Sequence, residues 1–240
     1  GGDGGMVETS GKQTLGVAHG RVDARAPAGR TGTWLLDPTN ITLAGGTGAT
    51  PDTVYEDALE AAGANQIINA SGTITASGTF SGGDVTMPAG LSLTLNGDAG
   101  IDLTTSTHGT ALALKTFGAS GTIALNTVSG AINAGTLKAA GGAVSLVAGG
   151  TGTLQVRDIT TNPLTDGPGG AITLQSGGAM TLGAAGSHID ARGTGIGATS
   201  GNVTITSGGA VTMQSSQNIY ANDLQISAAG GITDSANSLL

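Results

Sequence analysis

"GGAITLQSGGAMTL", residues 169–182, reads as two short strands joined by a glycine corner. Ile172 and Leu174 alternate with Thr173 and Gln175, and Met180 and Leu182 flank Thr181. Alternation at period two marks a strand with one buried face. The same text recurs in "GGAVSLVAGGTGTLQV" from Gly141 and "SGNVTITSGGAVTM" from Ser200, and another round begins at Leu224, Ile226 and Ile232. A third apolar point follows in three of these rounds, at Ile159, Ile189 and Ile219. The unit is therefore three short strands separated by tight corners. It takes 21 residues from Val203 to Leu224. The two preceding intervals are longer, and their excess sits in "RDITTNPLTDGPGG" and "DARGTGIGATSG", loop-like by their Gly, Pro, Asn and Asp content. Upstream, "DVTM", "LSLTL", "IDL", "ALAL", "TIAL", "AINA" and "AVSL" follow the same grammar.

Strands this short at such spacing suit a sandwich, a propeller or a β-solenoid. Composition separates them. Aromatic residues are 2% of the chain, too few for the large-ringed cores of the first two, and Asn96-Gly97 is the single Asn-Gly pair, whereas repeated hairpins would use many. A solenoid has a narrow interior that Ala, Val, Ile and Leu can fill, with coils stacked in a parallel ladder. Its sharp corners suit the 45 glycines, expected there at positive φ together with Asn and Asp. Thr and Ser fit the outward strand positions.

Two stretches depart from the repeat. "TPDTVYEDALEAAG", residues 50–63, reads as a short helix near 51–62: Thr50 as N-cap, Pro51 in the first turn, Gly63 as terminator. Val54, Tyr55, Ala58, Leu59 and Ala62 share one face, and Glu56, Asp57 and Glu60 make a polar outer face. "TGTWLLDPTNITL" carries the chain's one tryptophan. Asp37-Pro38 should end its strand, and Trp34 is expected to plug the core, the alternative being an exposed platform for a sugar ring. The expected organisation is one continuous solenoid: N-terminal coils over 1–43, an insert with the helix over 44–70, and further coils over 71–240. Since it opens Gly-Gly-Asp and stops mid-pattern, the chain reads as a segment of a longer protein.

A net charge of −8 argues against nucleic-acid partners. No apolar run is long enough for a membrane-spanning helix, and no basic-then-apolar leader opens the sequence, so any targeting signal is expected outside it. Cysteine is absent, which suits the cytosol or a surface protein that crosses an envelope unfolded.

"GGDGGMVETSGK" followed by "RVDARAPAGRTGTWLLDPTNITL" resembles a segment of large bacterial exoproteins of the filamentous haemagglutinin and high-molecular-weight adhesin type. Met6 stands where that family usually has Phe; the rest of both motifs is present in Gly1–Gly11 and Gly32–Pro38. "GGAVSLVAGGTGTL", "GGAITLQSGGAMTL" and "GGITDSANSL" are similar to its repeats. The resemblance implies an all-β, right-handed parallel β-helix. It further implies two-partner secretion through an outer-membrane transporter to the surface of a Gram-negative bacterium, and adhesion to a host or surface receptor, glycan or protein.

The sequence carries no strong sign of catalysis, cofactor or metal binding. His19, His108 and His188 share no ligand spacing, and the lone "GGDGGM" is a weak match to a calcium-binding repeat. "GGTGAT" at 45–50 lacks the Gly-Lys-Ser/Thr of a phosphate cradle. Ser187 and His188, as strand neighbours, should face opposite ways and make a poor dyad. Sugar cleavage needs paired carboxylates; Asp98 with Asp102, Asp158 and Asp166 with Arg157, or Asp190 with Arg192 are the candidates. Corner Asp residues are equally expected for turn reasons. The sequence therefore points to a non-enzymatic rod that displays or spaces a binding site. The loops 157–168 and 190–201 are the expected contact surface, and an inert stalk or a carbohydrate-active enzyme are the alternatives. Exposed strand edges at the two ends would favour end-to-end self-association.

Overall fold

Residues one repeat apart lie one layer apart. In the computed structural model, Val144 pairs with Ile172, Ile172 with Val203 and Val203 with Leu224; Leu146, Leu174, Ile205 and Ile226 form the next inward column. The structure describes residues 2–11, 14–104, 111–119, 121–184 and 186–234. The chain is a parallel β-helix. Its first face is a sheet of nine parallel strands, from Met6–Ser10 to Leu224–Ala228. The second face runs from Ile41–Ala44 to Ile232–Asp234 and continues round a corner into the third, which includes Asp84–Thr86, Ala113–Phe117, His188–Asp190 and Asn218–Tyr220. In two middle coils the second and third strands fuse into Ile132–Ala140 and Leu154–Thr160, which cross the corner unbroken.

Each column is filled by medium aliphatic side chains because the interior is only as wide as two facing side chains. Leu95, Leu125, Leu146, Leu174 and Ile205 are all fully buried. Near the first-to-second corner the inward column becomes polar. Thr127, Ser176 and Ser207 are buried there, and their hydroxyls donate to the carbonyls of Gly130 (2.6 Å) and Gly178 (2.9 Å for both serines). The Gly178 carbonyl also accepts the Gly209 N–H of the next coil at 3.1 Å, so the serine hydroxyls add to the backbone bond there. Outside, Asn69, Asn96 and Asn126 stack as an amide ladder, with Asn96 donating to Asn69 at 2.6 Å and Asn126 to Asn96 at 2.8 Å. Asn96-Gly97 thus ends a strand and makes no hairpin.

Many corner glycines serve close approach, not positive φ. A Cβ on Gly142, Gly170 or Gly201 would sit 1.9, 1.8 or 2.1 Å from the carbonyl oxygen of the glycine one coil before it. None of the three is left-handed, and among the described Asn and Asp residues only Asp52 is. The expectation of positive φ at corners is therefore corrected for this column: neighbouring coils touch backbone to backbone there.

The insert is built differently from its sequence reading. The helix occupies Glu56–Ala61, starting later than Pro51. Thr50 does not cap it; Tyr55 holds that position without a side-chain bond. The reason is that Thr53–Tyr55 forms a strand paired with Ile41–Ala44, while Gly16 bridges Thr53 from the other side. Ladder bonds outcompete a first helical turn. Asp52, at φ 53°, turns the chain into this strand, and its carboxylate accepts the Leu15 N–H at 2.7 Å. Glu56, expected on the polar face, is buried, and its carboxylate accepts the N–H groups of Gly46 (2.8 Å) and Ser81 (2.9 Å). Val54, Ala58, Leu59 and Ala62 are buried as their spacing indicates. Six residues are too few for a self-sustaining helix. Gln66 helps hold this one: it stands in the inward column between Trp34 and Leu93 and donates to the Leu59 carbonyl at 2.6 Å.

Trp34 is 1% exposed and its indole N–H donates to Thr9 Oγ1 at 3.1 Å. It is a core plug, not a platform. Its strand, Thr33–Asp37, stops at the residue before Pro38.

Candidate functional site

The third face gathers most of the reactive side chains of the C-terminal half. The parallel register puts Thr136 beside Asp158, and His188 beside Asn218; the two strands between bring Ile159 onto Ile189. These side chains alternate with the inward Leu137, Ile159, Ile189 and Ile219 and so must point outward. An open groove of about 420 Å³ follows the corner between the second and third faces. Arg157, Asp158, Thr136 and His188 line it over a floor that includes Gly83 and Ala113.

Asp158 uses one carboxylate oxygen to accept the His188 backbone N–H at 2.8 Å. Arg157, at the bend of its strand, is exposed and has no carboxylate within salt-bridge distance among the described residues. Ser187 turns the other way: it is buried, bonded to the Ala184 carbonyl and to Gln217 Oε1, each at 2.7 Å. The pair is no dyad, as the alternation requires.

Beside the groove lies a second cluster. The Asp190 carboxylate is nearly buried and receives Arg192 Nε at 2.9 Å, Arg192 Nη2 at 2.6 Å and the Asn162 amide at 3.0 Å. Burial pushes this carboxyl up, but the Arg192 side chain and backbone N–H, with Asn162, outweigh it and hold Asp190 below the usual carboxylate range. The Arg192 guanidinium lies 4.0 Å from the centre of the Tyr220 ring, which stacks on His188 at 6.1 Å. Sequence pairing of Asp190 with Arg192 is correct in geometry, yet the carboxylate is consumed by structural bonds.

The two flagged loops meet. Gly167 and Thr194 form an antiparallel bridge with both N–H···O bonds made, at 2.8 and 2.9 Å. Asn162 and Thr161 tie the base of the first loop to Asp190 of the second. The result is one joint protrusion from the corner between the third and first faces. Leu164 and Ile196 are exposed on it, at 74% and 109% exposure.

The other sequence pairings do not assemble. Asp158 faces the groove while Asp166 belongs to the protrusion and lines an apolar hollow with Pro163 and Pro168. Asp98 stands at a corner beside Asp37 and Asn69, whereas Asp102 lines a different hollow and is tied to the N–H and hydroxyl of Thr104 at 2.9 and 2.6 Å. Asp3 of "GGDGGM" accepts the Arg30 N–H at 2.9 Å, a corner bond. His19 lies against Thr47 and Asp57, far from His188 in the stack; His108 lies outside the described residues. Among the described residues no three His, Asp or Glu side chains form a group that could hold a metal ion. Sequence reading missed His188 as a groove residue and Tyr220 altogether. Only the coil register, "HID" over "NIY", could have aligned them.

Comparison of the chain with protein-family models, with curated proteins and with solved structures returns no match.

Proposed function

We propose that this chain is a segment of a bacterial surface adhesin, non-enzymatic, whose stiff β-helical rod carries the paired loops 157–168 and 190–201 as its contact surface. The observation that carries the reading is the backbone bridge between Gly167 and Thr194, which fuses two loops from successive coils and leaves Leu164 and Ile196 exposed. Unsupported loops of this length would be mobile; bridged to each other and rooted on stacked coils, they present a fixed apolar tip. Exposed apolar groups held rigidly suit recognition of another molecule. The partner in this reading is a host or surface receptor. The resemblance of Gly1–Gly11 and Gly32–Pro38 to two-partner-secreted exoproteins supports placement at the surface of a Gram-negative bacterium, after passage through an outer-membrane transporter. Absence of cysteine is compatible with unfolded export.

The test is binding of the purified chain to a glycan array and to host cells, beside a variant in which 163–168 and 193–200, which lie beyond the strands Leu154–Thr160 and His188–Asp190, are replaced by short Gly-Ser corners that leave Arg157, Asp158 and Asp190 in place. Saturable binding lost in the variant is the expected result. A folded chain that binds nothing would make it a spacer and sink the adhesive reading.

A further inference from the structure

The groove on the second-to-third corner is separate from the loop protrusion and calls for a ligand of its own. It runs along the rod. Gly83, Ala113, Thr136, Asp158 and His188 come from five successive coils. Four steps of about 4.8 Å make it roughly 19 Å long. Its floor is glycine and alanine, so a flat ring can approach the backbone, while its walls are an arginine, a carboxylate, a hydroxyl and an imidazole.

Three observations narrow the ligand. First, the strands behind the groove are bonded to neighbours on both sides. A peptide cannot add to them as another strand, the mode that gives extended peptides their affinity, so recognition must come from side chains. Second, Arg157 is exposed on the groove with no salt-bridge partner among the described residues, in a chain of net charge −8 with only 8 Lys and Arg. An unpaired guanidinium matches a planar anion in a two-pronged bond. Third, Asp158 lies beside it with one carboxylate oxygen committed to the His188 N–H. This acid next to the cation disfavours a densely charged polymer and suits the hydroxyls of a neutral sugar.

We propose that this groove binds an acidic oligosaccharide in which one uronic acid is flanked by neutral sugars. Arg157 holds the carboxylate, Asp158 and His188 bond hydroxyls, and the neutral rings lie on the floor at Ala113 and Gly83.

The experiment is calorimetric titration of the chain with a linear tetrasaccharide carrying one glucuronate. The same sugar with its carboxyl reduced to an alcohol and a tetraglutamate peptide are the comparison ligands. One-to-one saturable binding is expected, weakened about 10- to 100-fold by carboxyl reduction or by Arg157→Gln, the range for loss of a charged hydrogen bond. Ala113→Phe, which fills the floor and leaves Arg157 in place, should abolish it. Lys138→Gln removes an exposed cation of the same face that does not line the groove, and should change affinity by less than about twofold. Any of four results overturns the proposal: no binding by protein with an intact melting transition, equal binding of the reduced sugar, tetraglutamate bound as tightly through Arg157, or Lys138→Gln as damaging as Arg157→Gln.

Discussion

Replacing Trp34 by Ala tests how far a disturbance travels along the rod. The side chain stands between Val7 and Gln66 in the inward column and shares the core with Leu15, Leu36, Val54 and Leu59. At 1% exposure the whole ring is lost from packing, together with its bond to Thr9. Large-to-small changes of this kind cost about 3–5 kcal/mol. Each coil contacts mainly its neighbours, so stability is close to a sum of local terms. The loss should therefore stay near the N-terminal coils and the insert. Hydrogen exchange read by mass spectrometry is the assay. Amides in Thr33–Asp37, Thr53–Tyr55 and Asn65–Ala70 should exchange about two to three and a half decades faster. Those in Val144–Ala148 and Val203–Ser207 should keep their rates. Thr9→Val, which leaves the indole N–H buried without an acceptor, should cost about 1–3 kcal/mol in the same region. Equal acceleration across all coils would refute the nearest-neighbour argument. No acceleration anywhere would refute the role of the ring as core filler.

Asn96→Ala removes two amide bonds of the outer ladder, while Asn126→Ala removes one. At about 0.5–1.5 kcal/mol per bond the first should lower the urea midpoint about twice as far, and equal shifts would show the ladder to be ornamental. Burial pushes the Glu60 carboxyl up, with the Thr86 N–H opposing. A carboxyl whose folded pKa is raised costs stability once ionised, and that cost is relieved as pH falls through the raised value. Glu60→Gln should therefore melt higher than the parent at neutral pH and lose its advantage below about pH 4; a variant no more stable at neutral pH would contradict the burial argument.

The fold was legible because a β-helix repeats one local rule. The eight-residue step between Ile172 and Met180, and the recurrence of Ile159, Ile189 and Ile219, are the inward columns themselves, visible in the sequence because each coil must place a similar side chain at the same point. Where register and propensity compete, local reading gave way. Thr53–Tyr55 scores as the start of a helix but becomes a strand because Gly16 and Ile41–Ala44 offer it ladder bonds. Glu56 looks like a surface acid but is held inside by two N–H groups. The candidate sites divide the same way. Asp190 and Arg192 meet because they are two residues apart, a distance sequence can read. Arg157, Asp158 and His188 share a groove, and Gly167 meets Thr194, because coil lengths of unequal size are summed into one register before these residues become neighbours. Sequence alone determined the repeating inward columns and hence the solenoid. Only the stacked structure decided which outward residues face each other, since outward positions, the Asn69–Asn96–Asn126 ladder apart, face solvent and need not repeat one residue type from coil to coil.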